Sequence, residues 1–443
     1  MDNHRVDKFI KNPRKALFSL AWPIALGMLI QALYNVIDTI FVGRLGAEAV
    51  AAITFSFPLF FFIIAINSGV ATGMSSRISR YMGQKKIKLA ENTAMHGIVL
   101  SIIISIILFI VGYLSLNSIF HIFGADQAVI PLAQSYFRII LYGIVFMFIT
   151  FTTFNVFIAQ GDTKTPVWIQ VFALLLNIVL DYVFIYVLEY GVSGAAIATT
   201  ITFAVSMVFG IILIKTKSQL QICFSDFKFS KKIVKEILQV GAPASLMMII
   251  MSIYIVFINK FMAHFSTEHV AAFGIVSRLE TFAIMPIAAF SLALMTLTGM
   301  FYGAKKYQIL KDTVWFGLKT VFGITLFLSA IFFIFATPFL RIFTSNQELI
   351  SIGVQYMRIN VFTIPLMAIG QGISRIMQGL GLGLPGLIIN LTRIIFVAIP
   401  LSYICVYILD LSFIWIAYSM VIGGVVAVII AVPWLVIKFR EIK

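Results

Sequence analysis

The sequence has few of the residues that build enzyme centres and disulfide frameworks. Its 443 residues include two cysteines, Cys223 and Cys405, and five histidines. Two cysteines cannot make a disulfide framework or a cysteine-rich metal site. The histidines lack the HExxH spacing of a zinc enzyme, and no His or Cys in the apolar segments is placed to form a nucleophile–base pair. We therefore expect neither an enzyme nor a resident cofactor.

Charged residues are also scarce. They make up 11% of the chain, against 61% hydrophobic residues, and the mean hydropathy is +1.05. Soluble globular domains do not have this composition, so we expect a multi-pass membrane protein. The basic N-terminal residues precede an apolar segment that is too long for a signal-peptide core. We expect that segment to remain attached as the first spanning helix.

Twelve apolar segments are long enough to cross a bilayer. A polar stretch separates the first six from the last six. The segments cover residues 16–42, 50–80, 93–116, 132–160, 165–188, 193–214, 236–262, 270–301, 313–338, 351–378, 384–408 and 412–437. This order predicts an all-α membrane protein of twelve transmembrane helices in two six-helix lobes. Its parts are a tail (1–15), an N-lobe (16–214), an interlobe linker (215–235), a C-lobe (236–437) and a second tail (438–443).

The positive charges indicate the sidedness of the chain. If the N-terminus is cytoplasmic, most Lys and Arg residues fall in the tails, the linker and the other cytoplasmic loops. The outer loops then hold about three, Arg44, Lys260 and Arg341. The positive-inside rule therefore predicts that both termini and the linker are cytoplasmic, in a cell membrane. Topology also explains the net charge of +15 without a nucleic-acid partner.

The two halves of the chain repeat each other. Pro23 matches Pro243, Tyr34 matches Tyr254, and Tyr136 matches Tyr356, all at one constant separation. The register holds without gaps across the first four helices of each half. Because each half has six helices, the lobes run in the same direction and are related by a pseudo-two-fold axis along the membrane normal. Parallel repeats of this kind are typical of transporters whose lobes rock around a cavity.

One polar pair interrupts the apolar fifth segment. Asn177 and Asp181 are four residues apart, so they share a face of a helix. A carboxylate in this environment is costly unless it is paired, protonated or bound to a cation. One interpretation is that Asp181 only ties two helices together. The other is that Asp181 belongs to a proton or cation site on a transport path.

Further oxygen-bearing residues are predicted near this pair. At ~1.5 Å per residue, Asp38, Asp181 and Thr199 all fall in the outer half of the N-lobe. Asn35 and Tyr34 lie three and four residues before Asp38 and so share its face. An all-oxygen set suits Na⁺ or a shared proton and offers nothing to soft metals.

The repeat shows that this polar set belongs to one lobe. Ile258 stands at the place of Asp38 in the second half. With a shift of one residue after the fourth helix, Phe396 and Pro400 stand opposite Asn177 and Asp181. Residues that only held the lobe together would be expected in both copies. The asymmetry therefore favours a functional site.

In the second half, Glu280 is the only acid well inside the lobe. It either forms an ion pair or faces the cavity and attracts a cationic substrate. Arg278 lies two residues away and does not share its face. Arg375 and Arg393 also fall within predicted helices, and their roles are left open.

Three stretches resemble the multidrug and toxic compound extrusion (MATE) family. They are Pro23 with Asn35-Val36-Ile37-Asp38-Thr39, the run Gly161-Asp162-Thr163-Lys164-Thr165-Pro166 before Asn177 and Asp181, and Ser277-Arg278-Leu279-Glu280-Thr281-Phe282. The resemblance implies twelve helices in two lobes and cation-coupled export of amphipathic, often cationic compounds. It also implies a first-lobe cation site, whose positions match Asp38, Asn177, Asp181 and Thr199. Some branches place a further coupling acid in the tenth helix, and residues 351–378 contain none.

The resulting hypothesis is a multidrug efflux antiporter driven by H⁺ or Na⁺, acting as a monomer on small-molecule drugs or toxic metabolites in contact with membrane lipid. A lipid-linked oligosaccharide flippase is the main alternative and would need a strongly cationic cavity. A membrane-embedded enzyme would need the nucleophile or metal ligands that are missing here. An ion channel is a further alternative.

Overall fold

A computed structural model describes residues 4–122 and 129–442, and all regular structure within them is helical. Residues 1–3 and 443, at the ends of the predicted tails, lie outside it. The helices of the first half are α1 (His4–Lys11), α2 (Pro13–Gly43), α3 (Ala47–Gly83), α4 (Ile87–Ile122), α5 (Ile130–Ala159), α6 (Lys164–Asp181) and α7 (Gly191–Lys217). Those of the second half are α8 (Lys231–Ala263), α9 (Thr267–Gly303), α10 (Tyr307–Ile334), α11 (Ala336–Arg341), α12 (Gln347–Asn360), α13 (Thr363–Gly379), α14 (Leu384–Leu391), α15 (Ile399–Tyr403) and α16 (Ile414–Glu441).

The internal repeat extends to the backbone of the turns. Lys85 and Lys305, at equivalent positions after α3 and α9, both adopt the left-handed conformation with φ 57°. In the first of these turns the amide of Lys86 bonds back to the carbonyl of Tyr81 at 3.0 Å. Such a bond satisfies a carbonyl that the helix end would leave free. The two halves therefore share local geometry as well as helix order.

The predicted number of spanning helices is confirmed. The described residues contain eleven helices long and apolar enough to cross a membrane, and α12 with α13 form a twelfth as a pair bent by 45°. The sequence predicted one spanning helix here, over 351–378, and did not indicate the bend. The bend follows from Pro365, which has no N–H to bond to the carbonyl of Val361. That carbonyl instead accepts the hydroxyl of Ser329 of α10 at 2.8 Å and the amide of Ile364 at 3.3 Å.

Two other predicted helices contain π-helical segments. The predicted helix over 165–188 is α6 followed by a π-helix at Tyr182–Val187. The predicted helix over 384–408 holds π-helices at Thr392–Ala398 and Ile404–Ile408. A π-turn inserts a residue into the helical register and so redirects the side chains around it, often at functional sites. Hydrophobic periodicity alone did not indicate these segments.

The chain divides into two compact units. One is Leu26–Gly241, and the other joins the residues up to Ala25 with those from Ala242 onward. These boundaries fall inside α2 and α8, close to Pro23 and Pro243, whereas the predicted lobes meet at the linker. The lobe boundaries drawn from the repeat therefore stay a prediction. In the first unit α5 packs against α3, α4 and α7, and in the second α9 packs against α10, α12 and α13.

The predicted linker is anchored to the start of α4, within the first unit. The side-chain amide of Asn92 bonds to both the backbone N–H and the carbonyl of Lys228. His96 accepts a hydrogen bond from the backbone of Ser230 at 2.9 Å, and its ring stacks against Phe229. The linker therefore has a defined path on the helix.

Candidate functional site

The predicted polar pair lies at the end of α6. Asn177 and Asp181 are both fully buried, with 0% of their surface exposed. Neither carboxylate oxygen of Asp181, and neither polar atom of the Asn177 amide, has a hydrogen-bond partner among the described residues. Buried polar groups of this kind cost free energy unless something binds them. The observed geometry does not provide the bond to a neighbouring helix that a purely structural role would need.

Asp38 of α2 lies at the wall of a cavity. Its Oδ1 atom is buried and has no partner in the described part of the chain. The cavity has a volume of about 350 Å³. Besides Asp38 it is lined by Thr39, Val42, Val50, Ile53, Thr54, Phe57 and Pro58. The carboxyls of Asp38 and Asp181 interact electrostatically, so a cation reaching Asp38 from the cavity comes under the influence of the buried acid.

A hydroxyl contact connects α2 to α7 beside the two acids. The phenol of Tyr34 donates to Oγ1 of Thr199 at 3.5 Å. Tyr34 also interacts electrostatically with Asp38 and Asp181. These interactions connect four of the six predicted residues, Tyr34, Asp38, Asp181 and Thr199, and Asn177 lies four residues before Asp181 on the same helix. Asn35 is the exception, because its side chain is exposed and its carbonyl only accepts a local bond from Thr39.

The π-helix after α6 positions this set. It begins directly after Asp181 and carries Tyr186, whose hydroxyl donates to the carbonyl of Phe41 at 2.9 Å. The two rings lie 5.8 Å apart. Phe41 is three residues beyond Asp38, so this contact holds the acid-bearing end of α2 against the helix that carries Asp181.

Tyr136 of α5 is a site residue that the sequence argument missed. It is partly buried and interacts electrostatically with Asp38 and Asp181. The sequence did contain a signal, since Tyr136 and Tyr356 are a repeat pair, but that pair was interpreted only as a marker of the repeat.

The oxygen set can bind a hard monovalent cation or a proton. Asp38, Asp181, Asn177 and Thr199 offer only oxygen ligands apart from the amide nitrogen. Such ligands suit hard cations and not soft metals. No group of three or more His, Cys, Asp or Glu residues in the described chain is arranged to hold a metal ion. The two carboxylates give the site a formal charge that one or two monovalent cations can balance.

The C-lobe candidates are arranged differently. Asn360 donates its side-chain amide to Oε1 of Glu280 at 2.5 Å, and Thr363 donates to Oδ1 of Asn360 at 3.3 Å. Within the described residues Glu280 makes no ion pair. The structure therefore pairs it with an amide, and Arg278 beside it in sequence is exposed.

Of the two arginines in the predicted helices of the C-lobe, Arg375 is partly buried and Arg393 is buried. Arg375 donates to Oε1 of Gln378 at 3.0 Å. Arg393 lies in the π-helix Thr392–Ala398 and is 5% exposed. Its Nη2 donates to the sulfur of Met251 at 3.9 Å. Tyr254 of α8 interacts electrostatically with both Glu280 and Arg393.

The sequence matches one protein family twice. The family model MatE covers residues 23–183 and again 243–404, which together exceed half of the chain. The two matches begin at Pro23 and Pro243, the first pair of the internal repeat. The repeat found from residue identities is thus the repeat of the family.

Curated relatives cover nearly the whole chain. A probable multidrug resistance protein, YoeA of Bacillus subtilis, is 27% identical over 89% of this chain and 88% of its own length. An FAD transporter of Shewanella oneidensis is 26% identical over the same shares. The multidrug export protein MepA of Staphylococcus aureus is 24% identical over 86% of this chain and 85% of its own length.

Solved structures share the same fold. One is described as the outward-facing conformation of a multidrug resistance MATE family transporter of the MOP superfamily. It is 31% identical, covers 99% of this chain and 98% of its own, and gives a TM-score of 0.93. Another, a MOP superfamily transporter from Pyrococcus furiosus said to have a binding pocket of reverse polarity, is 31% identical over 97% of both chains with a TM-score of 0.92.

Proposed function

Because this chain belongs to the MatE family, and is a multi-pass multidrug transporter and not an enzyme, we propose that it is an efflux antiporter driven by H⁺ or Na⁺. Its substrates in this proposal are amphipathic, often cationic small molecules. It works as a monomer in the cell membrane, with both termini and the linker in the cytoplasm. The positive-inside distribution of Lys and Arg supports this orientation.

One observation carries the proposal. Asp181 is fully buried and both its carboxylate oxygens lack partners among the described residues, while Asp38 lies at a cavity wall and interacts with it electrostatically. A buried acid of this kind is stable only with a proton or a bound cation. The site is thus suited to take up the ion that drives transport.

The geometry suggests how the ion is coupled to substrate. A cation that reaches Asp38 from the cavity neutralises part of the repulsion between Asp38 and Asp181. The end of α2 can then close on Asp181, guided by the Tyr34–Thr199 and Tyr186–Phe41 contacts. Because α2 lines the cavity at Thr39 and Val42, its movement changes the space open to substrate. Substrate release and ion binding are favoured together, and loss of the ion resets the protein.

In the C-lobe, Glu280 is the candidate contact for the charged end of a cationic substrate. It is the only acid well inside that half, and among the described residues its hydrogen bond is to a neutral amide. A carboxylate in an environment of low dielectric attracts a cation strongly because little water screens it.

A lipid-linked oligosaccharide flippase is the second candidate. The partly buried Arg375 and the buried Arg393 favour it, because guanidinium groups recognise pyrophosphate. The presence of Glu280 in the same lobe speaks against it, because a carboxylate repels a phosphate-bearing lipid.

The test is ethidium efflux from vesicles under an imposed pH gradient and, separately, an imposed Na⁺ gradient. We expect one of the two gradients to drive efflux by the wild-type protein. Asp181→Asn should reduce efflux to the level of vesicles without the transporter, while the folded variant still binds ethidium. Asp312→Asn, a change at an exposed acid of α10, should behave like wild type.

Three results would contradict the proposal. Wild-type efflux by the Asp181→Asn variant would show that Asp181 takes no part in ion coupling. Failure of Asp181→Asn to fold would support the interpretation that this acid ties helices together. If the wild-type protein moved no dye under either gradient, the flippase would become the better hypothesis.

A further inference from the structure

A second, smaller cavity lies inside the first unit, between α2, α5, α6 and α7. Its volume is about 40 Å³, against about 350 Å³ for the cavity at Asp38. Tyr34, which donates to Thr199 of the acid site, lies in its wall. The polar part of the lining includes Gln31, Tyr34, Gln170, Thr202 and Ser206. We call this space the inner cavity.

Three oxygen atoms of the inner cavity have no hydrogen-bond partner in the described part of the chain. They are Oε1 of Gln170, Oγ1 of Thr202 and Oγ of Ser206. Thr202 is 2% exposed and Ser206 is 1% exposed. A buried hydroxyl without a partner is costly, and a water molecule needs ~10–15 Å³ of cavity volume and polar partners. The inner cavity offers both, so it is suited to hold water.

The inner cavity lies on the cytoplasmic side of the acid site in the proposed orientation. Helices α2 and α6 run outward, and Gln31 precedes Asp38 by seven residues, or ~10 Å. Gln170 precedes Asp181 by eleven residues, or ~16 Å. Both spacings keep the two residues on one face of their helix. Because Gln31 is exposed, the cavity reaches the surface of the unit at this level.

Helix α7 continues the unpartnered oxygens toward the cytoplasm. It runs inward, and Thr199, Thr202 and Ser206 follow one another at spacings of three and four residues, so they share one face. One turn beyond Ser206, a Cβ atom at Gly210 would lie 2.8 Å from Cγ2 of Thr153 of α5. Oγ1 of Thr153 also lacks a partner among the described residues. The unpartnered hydroxyls therefore extend inward from the acid site.

We propose that the inner cavity is the path by which the coupling ion leaves the acid site toward the cytoplasm. Water in the cavity, held by Gln170, Thr202 and Ser206, solvates the passing Na⁺ or hydronium ion. Neutral oxygens bind a monovalent cation more weakly than carboxylates do, which suits a passage, because an ion must leave it as readily as it enters. The inference rests on the proposed function of Asp38 and Asp181 as the cation site.

The first test separates ion binding from ion release in the purified and reconstituted full-length protein. Thr202→Val with Ser206→Ala removes both hydroxyls with little change in volume. The increase in melting temperature that the cation produces should be retained, because the acids are intact. Gradient-driven ethidium efflux should fall several-fold, because the ion leaves more slowly. Thr325→Val with Ser419→Ala, at buried hydroxyls with local bonds in the second unit, is the matched control and should behave like wild type.

A cysteine in the inner cavity tests whether cations reach it. Ag⁺ is a small monovalent cation that binds thiolate sulfur. Ser206→Cys with Cys223→Ser, which removes the exposed native thiol, should lose efflux when Ag⁺ is added on the cytoplasmic side. Cys223→Ser alone should keep its efflux under the same treatment. Ser419→Cys with Cys223→Ser, which places the thiol at a buried position of the second unit, should keep it as well.

Three outcomes would overturn the proposal and leave the acid site in place. One is wild-type efflux by the Thr202→Val/Ser206→Ala protein, and another is a Ser206→Cys protein that Ag⁺ does not inhibit. The third is a higher melting temperature of the double variant without added cation, because removing hydroxyls from a dry cavity relieves a cost. An Asp181→Asn protein that keeps the cation response would instead contradict the proposed function. If the double variant does not fold, Ser206→Ala alone should show the slower efflux.

Discussion

The two halves of this transporter place equivalent tyrosines beside different charges. In the first half Tyr34 and Tyr136 interact with Asp38 and Asp181. In the second half Tyr254 interacts with an acid and a base, and Ile258, at the place of Asp38, is fully buried. The helices and turns that hold these residues repeat, whereas the charges do not.

This difference shows that the helical framework is common to both halves, whereas the charged groups are specific to each. A buried phenol can serve either lobe because it is neutral and hydrogen-bonds to neighbouring groups. Two buried carboxylates without partners are stable only with a proton or a cation. In our proposal the first lobe therefore binds the coupling ion, and Glu280 of the second lobe contacts the substrate.

The largest expected effect on transport comes from substituting Asp38, compared with substituting Ile258, its equivalent in the second half. Asp38→Ala should abolish gradient-driven ethidium efflux because the cavity wall loses its acid. Ile258→Val should leave efflux intact and lower the free energy of unfolding by only ~0.5–1.5 kcal/mol. Efflux assays and melting temperatures of both variants check this, and equal loss of transport would show that the asymmetry has no role in coupling.

A smaller, selective effect is expected at Glu280. Glu280→Gln should reduce transport of a cationic dye several-fold, because the only acid well inside the C-lobe is lost. A neutral dye of similar size should be transported as before. The comparison needs paired assays in one membrane preparation. Equal transport of both dyes by the variant would exclude Glu280 as a substrate contact.

The equivalent tyrosines Tyr34 and Tyr254 allow a test of which lobe binds the cation. Tyr34→Phe removes the bond to Thr199, and a hydrogen bond worth ~0.5–1.5 kcal/mol corresponds to a roughly 2- to 10-fold higher cation concentration for half-maximal efflux. Tyr254→Phe should leave that concentration unchanged, because the proposed coupling site lies in the N-lobe. The same shift in both variants would argue for a cation in each lobe.

The smallest effect concerns the bend between α12 and α13, which the first half lacks. Val145 stands at the equivalent of Pro365, and α5 is unbroken from Ile130 to Ala159. Ser329→Ala should leave the Val361 carbonyl with only the 3.3 Å bond from the amide of Ile364, at a cost of ~0.5–1.5 kcal/mol in stability. Thermal melting checks this, with Ser115→Ala, at a partly exposed local bond of α4, as the control. An unchanged melting temperature would show that the bond from Ile364 is enough to satisfy the carbonyl.

The site illustrates which residues a sequence can reveal. Asn177 and Asp181 were predictable because polar residues in an apolar helix are conspicuous and their spacing of four fixes a shared face. Asn35 was predicted by the same spacing rule, yet it is exposed. The rule places side chains within one helix and does not tell which of them a neighbouring helix covers. Tyr136 was missed because its role depends on the packing of α5 against other helices.

The sequence by itself determined the membrane class, the twelve spans, the repeat and the confinement of the acid set to one half. Length, hydropathy and register are properties of each segment alone. Only the tertiary structure decided the π-helix after Asp181, the bend at Pro365 and the partners of Glu280 and Arg393. These features depend on which groups of other helices can satisfy a carbonyl or balance a charge, such as Ser329 at Val361. Contacts between residues far apart in the chain carry that information, and local periodicity does not.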